Sequence, residues 1–215
     1  MKERVQVGRS QPEELTKVVA QARKSRLCAP AYATILRQII FLSDAIASVR
    51  ACAKDEIDPS ACLALKELGI WCYLAFDEAG NEQFLFQAEK CFDAATRWSR
   101  SSCTCVNDHR SFACAFSSST NKRHPSARFF SDSELNAYYA LVLWAKIQWY
   151  GAPWGDQVRC AELLEQCVRG DSISLSGDMW FRLGVVYEKG IGRSPDARRA
   201  QHCFDRAREC GLRIS

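Results

Sequence analysis

No stretch of about 18 uninterrupted apolar residues occurs in this chain, which removes a membrane-spanning helix from the readings to be weighed. The most apolar run, ILRQIIFLSDAIASV, carries Arg37 and Asp44 and reads instead as a buried helix. Runs of alternating β-branched residues are missing too, so a sheet has no sequence support. The opening MKERVQVGRSQPEEL has no apolar signal-peptide core, and its Glu3, Glu13 and Glu14 run against an import signal. An intracellular protein is expected, with cytoplasm and mitochondrion both left open. There are only three histidines, none with a motif partner, and no nucleophile-base-acid arrangement stands out, so a non-catalytic role is expected. The net charge of +4 is too mild to call for nucleic acid or an anionic membrane by itself.

What the chain does have is helix-forming composition. Alanine, leucine and other helix formers recur at spacings of three and four, which predicts an all-α fold with helices near 12–27, 30–53, 59–78, 82–98, 134–150, 155–169, 176–189 and 196–210. Its 215 residues suit one domain or one short repeat array. Helix ends are marked chemically. Ser194-Pro195-Asp196 reads as a hydroxyl N-cap followed by a first-turn proline and a carboxylate, Ser131 with Glu134 makes a capping-box pattern, and Gly211 closes the last helix.

The segments AEKCFDAAT (Ala88 to Thr96) and AQHCFDRAR (Ala200 to Arg208) share the pattern A-x-x-C-F-D-x-A, with phenylalanines 112 residues apart. A Leu-Gly pair lies upstream of each, Leu68-Gly69 and Leu183-Gly184. Helix, corner and second helix thus recur with a period of roughly 37 residues, as in helical repeat arrays. The chain divides accordingly into a helix pair over 1–55, a degenerate repeat over 56–98, a serine-rich basic insertion over 99–133, and two repeats over 134–215.

LGVVYEKGIG, Leu183 to Gly192, resembles a phosphate-binding glycine loop only superficially. Such a loop follows a strand and opens a helix, whereas here a helix comes first, so Gly190 and Gly192 read as the corner between two packed helices. Leu183, Gly184, Tyr187, Gly190, Gly192, Asp196, Ala200, Phe204, Ala207 and Gly211 together form a unit that resembles the Sel-one-like repeat, a relative of the tetratricopeptide repeat. Arg193, Arg199 and Arg208 depart from that pattern, standing where it has valine, lysine and alanine. The match is strong over Met179 to Gly211 and weaker over Ala64 to Trp98 and Ala137 to Gly170, where Val142 takes the glycine's place. The resemblance implies a right-handed α-solenoid of about four helix pairs that binds other proteins as an adaptor or a subunit of a multi-subunit complex. A cysteine-rich branch of the family links its helices by disulfides, but its usual cysteine positions are Trp180 and Arg208 here.

Four sets of residues are candidates for contact or chemistry. Tyr138, Trp149, Tyr150 and Trp154 belong to an aromatic-rich stretch that one core cannot absorb, which points to a protein partner. Arg97, Arg100, Arg110, Lys122, Arg123 and Arg128 surround a single acid, Asp108, and offer contact to RNA phosphates or an acidic partner. That set supports an alternative reading as a subunit of an organellar ribonucleoprotein or respiratory complex. Cys103, Cys105, His109 and Cys114 supply enough soft ligands for one Zn²⁺, the basis of a third reading as a zinc- or redox-responsive protein; otherwise no cofactor is expected. Cys160 and Cys167, like Cys203 and Cys210, are seven residues apart on one helix face, too far for a mutual disulfide, and read as core.

Overall fold

In the computed structural model, which describes residues 11–28, 30–52, 59–101, 133–169 and 176–213, the described residues form eight α-helices and no strand. The helices are α1 (Gln11–Arg26), α2 (Tyr32–Cys52), α3 (Pro59–Ala79), α4 (Glu82–Ser101), α5 (Ser133–Tyr150), α6 (Trp154–Arg169), α7 (Ser176–Lys189) and α8 (Ala197–Glu209). They fall into two compact units, residues 1–130 and 131–215.

In the first unit α3 is the hub. Ala61, Ala64, Leu65, Leu68, Ile70, Trp71, Cys72, Ala75 and Phe76 are all buried, so α3 has apolar contacts around its whole circumference, and α1, α2 and α4 each pack on it. The flanking helices bury one stripe each: Leu15, Val19 and Ala22 on α1; Ile35, Ile39, Leu42 and Ile46 on α2; Leu85, Ala88, Phe92 and Ala95 on α4. Asn81 caps α4, its side-chain oxygen accepting from the Gln83 N–H at 3.0 Å. Glu67 of α3 is fully buried and is met by Arg26 at 3.1 Å and Arg23 at 3.6 Å, both from the last turn of α1. A charge so buried is tolerated only when paired.

The second unit contains the hairpins α5/α6 and α7/α8, joined side by side through α6 and α7. Close approach depends on small residues. A methyl group placed on Gly184 would sit 2.5 Å from the Phe204 ring, and one on Gly69 would sit 2.6 Å from the Phe92 ring. The α3/α4 and α7/α8 hairpins are therefore fastened alike, a phenylalanine of the second helix seated on a bare backbone of the first.

Gly190 (φ 72°) and Gly192 (φ 68°) turn the chain between α7 and α8. Gly192 also presses against a neighbouring helix: an added methyl would lie 2.3 Å from the Gln157 backbone in α6. The end of α8 carries a Schellman closure, with Gly211 (φ 88°) followed by Leu212, whose N–H donates to the Ala207 carbonyl at 3.1 Å.

Two sequence expectations need correction. Ser194 does not cap α8; Asp196 does, at φ −145° and ψ 96°, its side chain accepting from the Arg199 N–H at 3.0 Å. Pro195 lies before the helix and rests on Gly190, which leaves Ser194 exposed outside the first turn. Cys210 is not core either: α8 ends at Glu209, so Cys210 belongs to the exposed turn. Ser131 lies outside the described residues.

Candidate functional site

The corner between α5 and α6 is short, Gly151-Ala152-Pro153 with Gly151 at φ 61°, and it brings the end of one aromatic helix beside the start of the next. Only Ala152 of this corner is buried. Trp149 (70% exposed), Tyr150 (43%) and Trp154 (60%) consequently form an aromatic knuckle at one end of the hairpin. Lys146 and Asp156 bridge the two helices beneath it at 2.8 Å, and Gln157 donates to the Ala152 carbonyl at 2.8 Å. The exposed rings thus stand on a braced support. The other aromatics of α5 are differently placed: Tyr139 is buried under Arg159, whose guanidinium lies 4.5 Å from the ring centre, and Tyr138 is partly buried.

A second constellation lies where α6, α7 and α8 meet. The Tyr187 hydroxyl donates to Glu165 Oε1 at 2.5 Å, and Arg193 reaches the same oxygen. Glu165 therefore joins one hairpin to its neighbour, with Arg169 a further 3.7 Å away on its own helix. The guanidiniums of Arg193 and Arg199 also lie over the Tyr187 ring, at 5.4 and 5.5 Å. Burial, and then the bond to Glu165, push the Tyr187 phenol above its ordinary range. Next to this group is a cleft of about 380 Å³.

The thiols of the core are held protonated. Burial pushes Cys160 and Cys167 up to about 12 and Cys203 to about 11. Cys72 is raised further by burial and by neighbouring Cys91. These are packing groups rather than nucleophiles. Cys160, expected as core from its spacing, directs its Sγ to the Ala140 carbonyl across the α5/α6 seam at 3.7 Å.

Of the expected site residues, the structure brings Trp149, Tyr150 and Trp154 together at the corner and keeps the repeat residues Leu183, Ala200 and Ala207 in the α7/α8 seam. Arg97 is exposed on α4, where Asp93 lies 4.0 Å away, and Arg100 lies in the last turn of that helix. Arg110, Lys122, Arg123, Arg128, Cys103, Cys105, His109 and Cys114 lie outside the described residues. Among the described residues no three His, Cys, Asp or Glu side chains gather as a metal site, and no helix is long and apolar enough to cross a membrane. The Glu165–Tyr187–Arg193 group went unforeseen. Its one advance sign is Arg193 itself, a charge at a position where the repeat pattern has valine. Comparison with protein-family models, with curated proteins and with solved structures finds no match.

Proposed function

We propose that this chain is a non-catalytic docking protein, built from stacked helical hairpins of the Sel-one-like kind in a right-handed solenoid, and that it serves as an adaptor or fixed subunit of a larger assembly. The observation that carries this reading is the knuckle of Trp149, Tyr150 and Trp154, three large aromatic side chains with 43–70% of their surface exposed on a braced corner. Tryptophan and tyrosine anchors dominate protein interfaces because each removes a large area from water at little rotamer cost.

The test is a crosslink followed by a loss. A photoreactive phenylalanine at position 149 is placed in the full-length chain in cells, and adducts are identified by mass spectrometry. The same partner is then measured for binding to wild type and to Trp149→Ala/Trp154→Ala. One recurrent protein adduct, with affinity reduced at least about tenfold in the double variant, is expected from loss of two hot-spot tryptophans. Adducts to RNA alone, or a lone monomer at low salt with no adduct, would overturn the reading.

A further inference from the structure

The cleft between α6, α7 and α8 has an apolar wall and a cationic rim. Val168, Leu183 and Cys203 form part of the wall, while Arg169 and Arg199 stand at the edge with side chains 70% and 65% exposed. Arg199, His202 and Arg206 follow one another at spacings of three and four, so they lie along one face of α8. Each rests on an aromatic ring of α7. Arg199 lies over Tyr187 at 5.5 Å, Arg206 lies over Trp180 at 5.7 Å, and His202 meets the Trp180 ring edge-on at 6.0 Å. The rings thus hold Arg199, His202 and Arg206 in line along α8, with Arg199 and His202 lining the cleft and Arg206 one turn beyond.

The acids nearby do not cancel this row. Glu165, the carboxylate lining the cleft, is engaged by Arg193, by the Tyr187 hydroxyl and by Arg169. Asp196 pairs with Arg199 and Glu209 with Arg206, each three residues away on an exposed surface. Pairs of that kind contribute little in water, so a guanidinium can exchange its local acid for an incoming one. From Arg193 to Arg213 the chain has six arginines against Asp196, Asp205 and Glu209.

We infer that this cleft docks an acidic segment of a partner protein, which inserts one aliphatic or aromatic side chain against Val168, Leu183 and Cys203 while its flanking carboxylates pair with Arg169, Arg199 and Arg206. A volume of about 380 Å³ holds one such side chain with its backbone. The apolar wall favours a peptide over a nucleic acid, whose phosphates would meet the arginines but leave that wall without a partner. The inference rests on the protein-docking reading above but uses a surface other than the Trp149–Trp154 knuckle.

The test is selection of a display library of random twelve-residue peptides on the full-length protein. Enrichment of peptides with three or more Asp or Glu around one Leu, Ile, Phe or Trp is expected. The best synthetic peptide should bind at least tenfold more weakly to Arg169→Gln/Arg199→Gln, and also to Val168→Phe, which fills the cleft. It should bind Trp149→Ala/Trp154→Ala unchanged, so failure of the knuckle and failure of the cleft are told apart. If one cleft variant does not fold, the other decides. Selected peptides without acidic enrichment, unaltered binding to the cleft variants, or a twelve-nucleotide oligouridine that displaces the peptide and binds more tightly would each overturn the inference.

Discussion

The Cδ1–Cε1 edge of the Phe204 ring packs on Gly184, so close that a methyl group there would stand 2.5 Å from Cε1. Glycine inside a helix ordinarily weakens it, and alanine would gain about 1 kcal/mol. At this seam the sign reverses. Gly184→Ala must push the ring aside and is expected to lose about 1–2 kcal/mol, overpacking outweighing propensity. Gly69→Ala, facing Phe92 at 2.6 Å, should lose a similar amount. Gly192→Ala should lose more, because it meets the Gln157 backbone, which cannot rotate away, and adds a side chain at φ 68°. Gly155→Ala in α6 has open space and should be neutral or stabilising. Urea denaturation of the four variants checks the ordering; a stabilised Gly184→Ala would show that the helices are not in this contact.

How much of this was legible in the sequence depended on whether a feature is local. The Leu-Gly pairs and the A-x-x-C-F-D-x-A pattern each sit within one helix, and their repetition marked where two helices must approach. The helix boundaries were readable for the same reason: Gly80, Gly151, Gly190 and Gly211 all take positive φ beside helix ends. Caps were less legible. Ser194, Pro195 and Asp196 are all good helix openers, and only the closure of Asp196 N–H onto the Tyr187 carbonyl at 2.8 Å selects the third. Glu67 was not legible at all, and the only sign of the Glu165 group was the out-of-pattern charge of Arg193. The partners of these two glutamates lie 41 and 28 residues away, and nothing in the chain between them signals the meeting.

Glu67 makes the first unit sensitive to single charge removals on α1. Arg26 approaches it at 3.1 Å with a side chain only 14% exposed, whereas Arg23 stands at 3.6 Å and is 44% exposed. Arg26→Ala should therefore destabilise by about 3 kcal/mol, leaving a buried carboxylate short of its principal partner. Arg23→Ala should cost under about 1 kcal/mol, as exposed pairs do. Comparable losses from the two variants in denaturant melts would contradict this assignment.

The Tyr187–Glu165–Arg193 group joins the two hairpins of the second unit through one carboxylate oxygen, which predicts strong non-additivity. Tyr187→Phe removes a hydroxyl but leaves the arginine pair, at a cost of about 1 kcal/mol. Arg193→Met should cost about 2 kcal/mol, since Glu165 is mostly buried and loses its strongest counter-charge. Because both act on the same atom, the double variant should differ from the sum of the singles by at least about 0.5 kcal/mol. A double-mutant cycle by urea melts measures this directly. Strict additivity would mean that the two groups do not share Glu165.

The buried thiols tie stability to alkaline pH. Cys160 and Cys167 are pushed from 9.0 to about 12, and Cys203 from 9.0 to about 11, chiefly by burial. Between pH 9 and 12 the native chain keeps protons that the unfolded chain releases, so the unfolded state binds fewer and stability falls as pH rises through that window. Below about pH 9 this contribution is fully present and flat. Urea melts at pH 8, 9 and 10 should therefore show a fall that is smaller in Cys160→Ala/Cys167→Ala/Cys203→Ala than in wild type, whatever other groups titrate alongside. The same burial should order the thiols kinetically. At pH 8 iodoacetamide should label exposed Cys28 and Cys210 within minutes, while Cys160, Cys167 and Cys203 react only as fast as the second unit opens. Peptide mapping of the alkylated protein separates the sites. Equal labelling of Cys203 and Cys210, seven residues apart on the same stretch of chain, would show that Cys203 does not face the core.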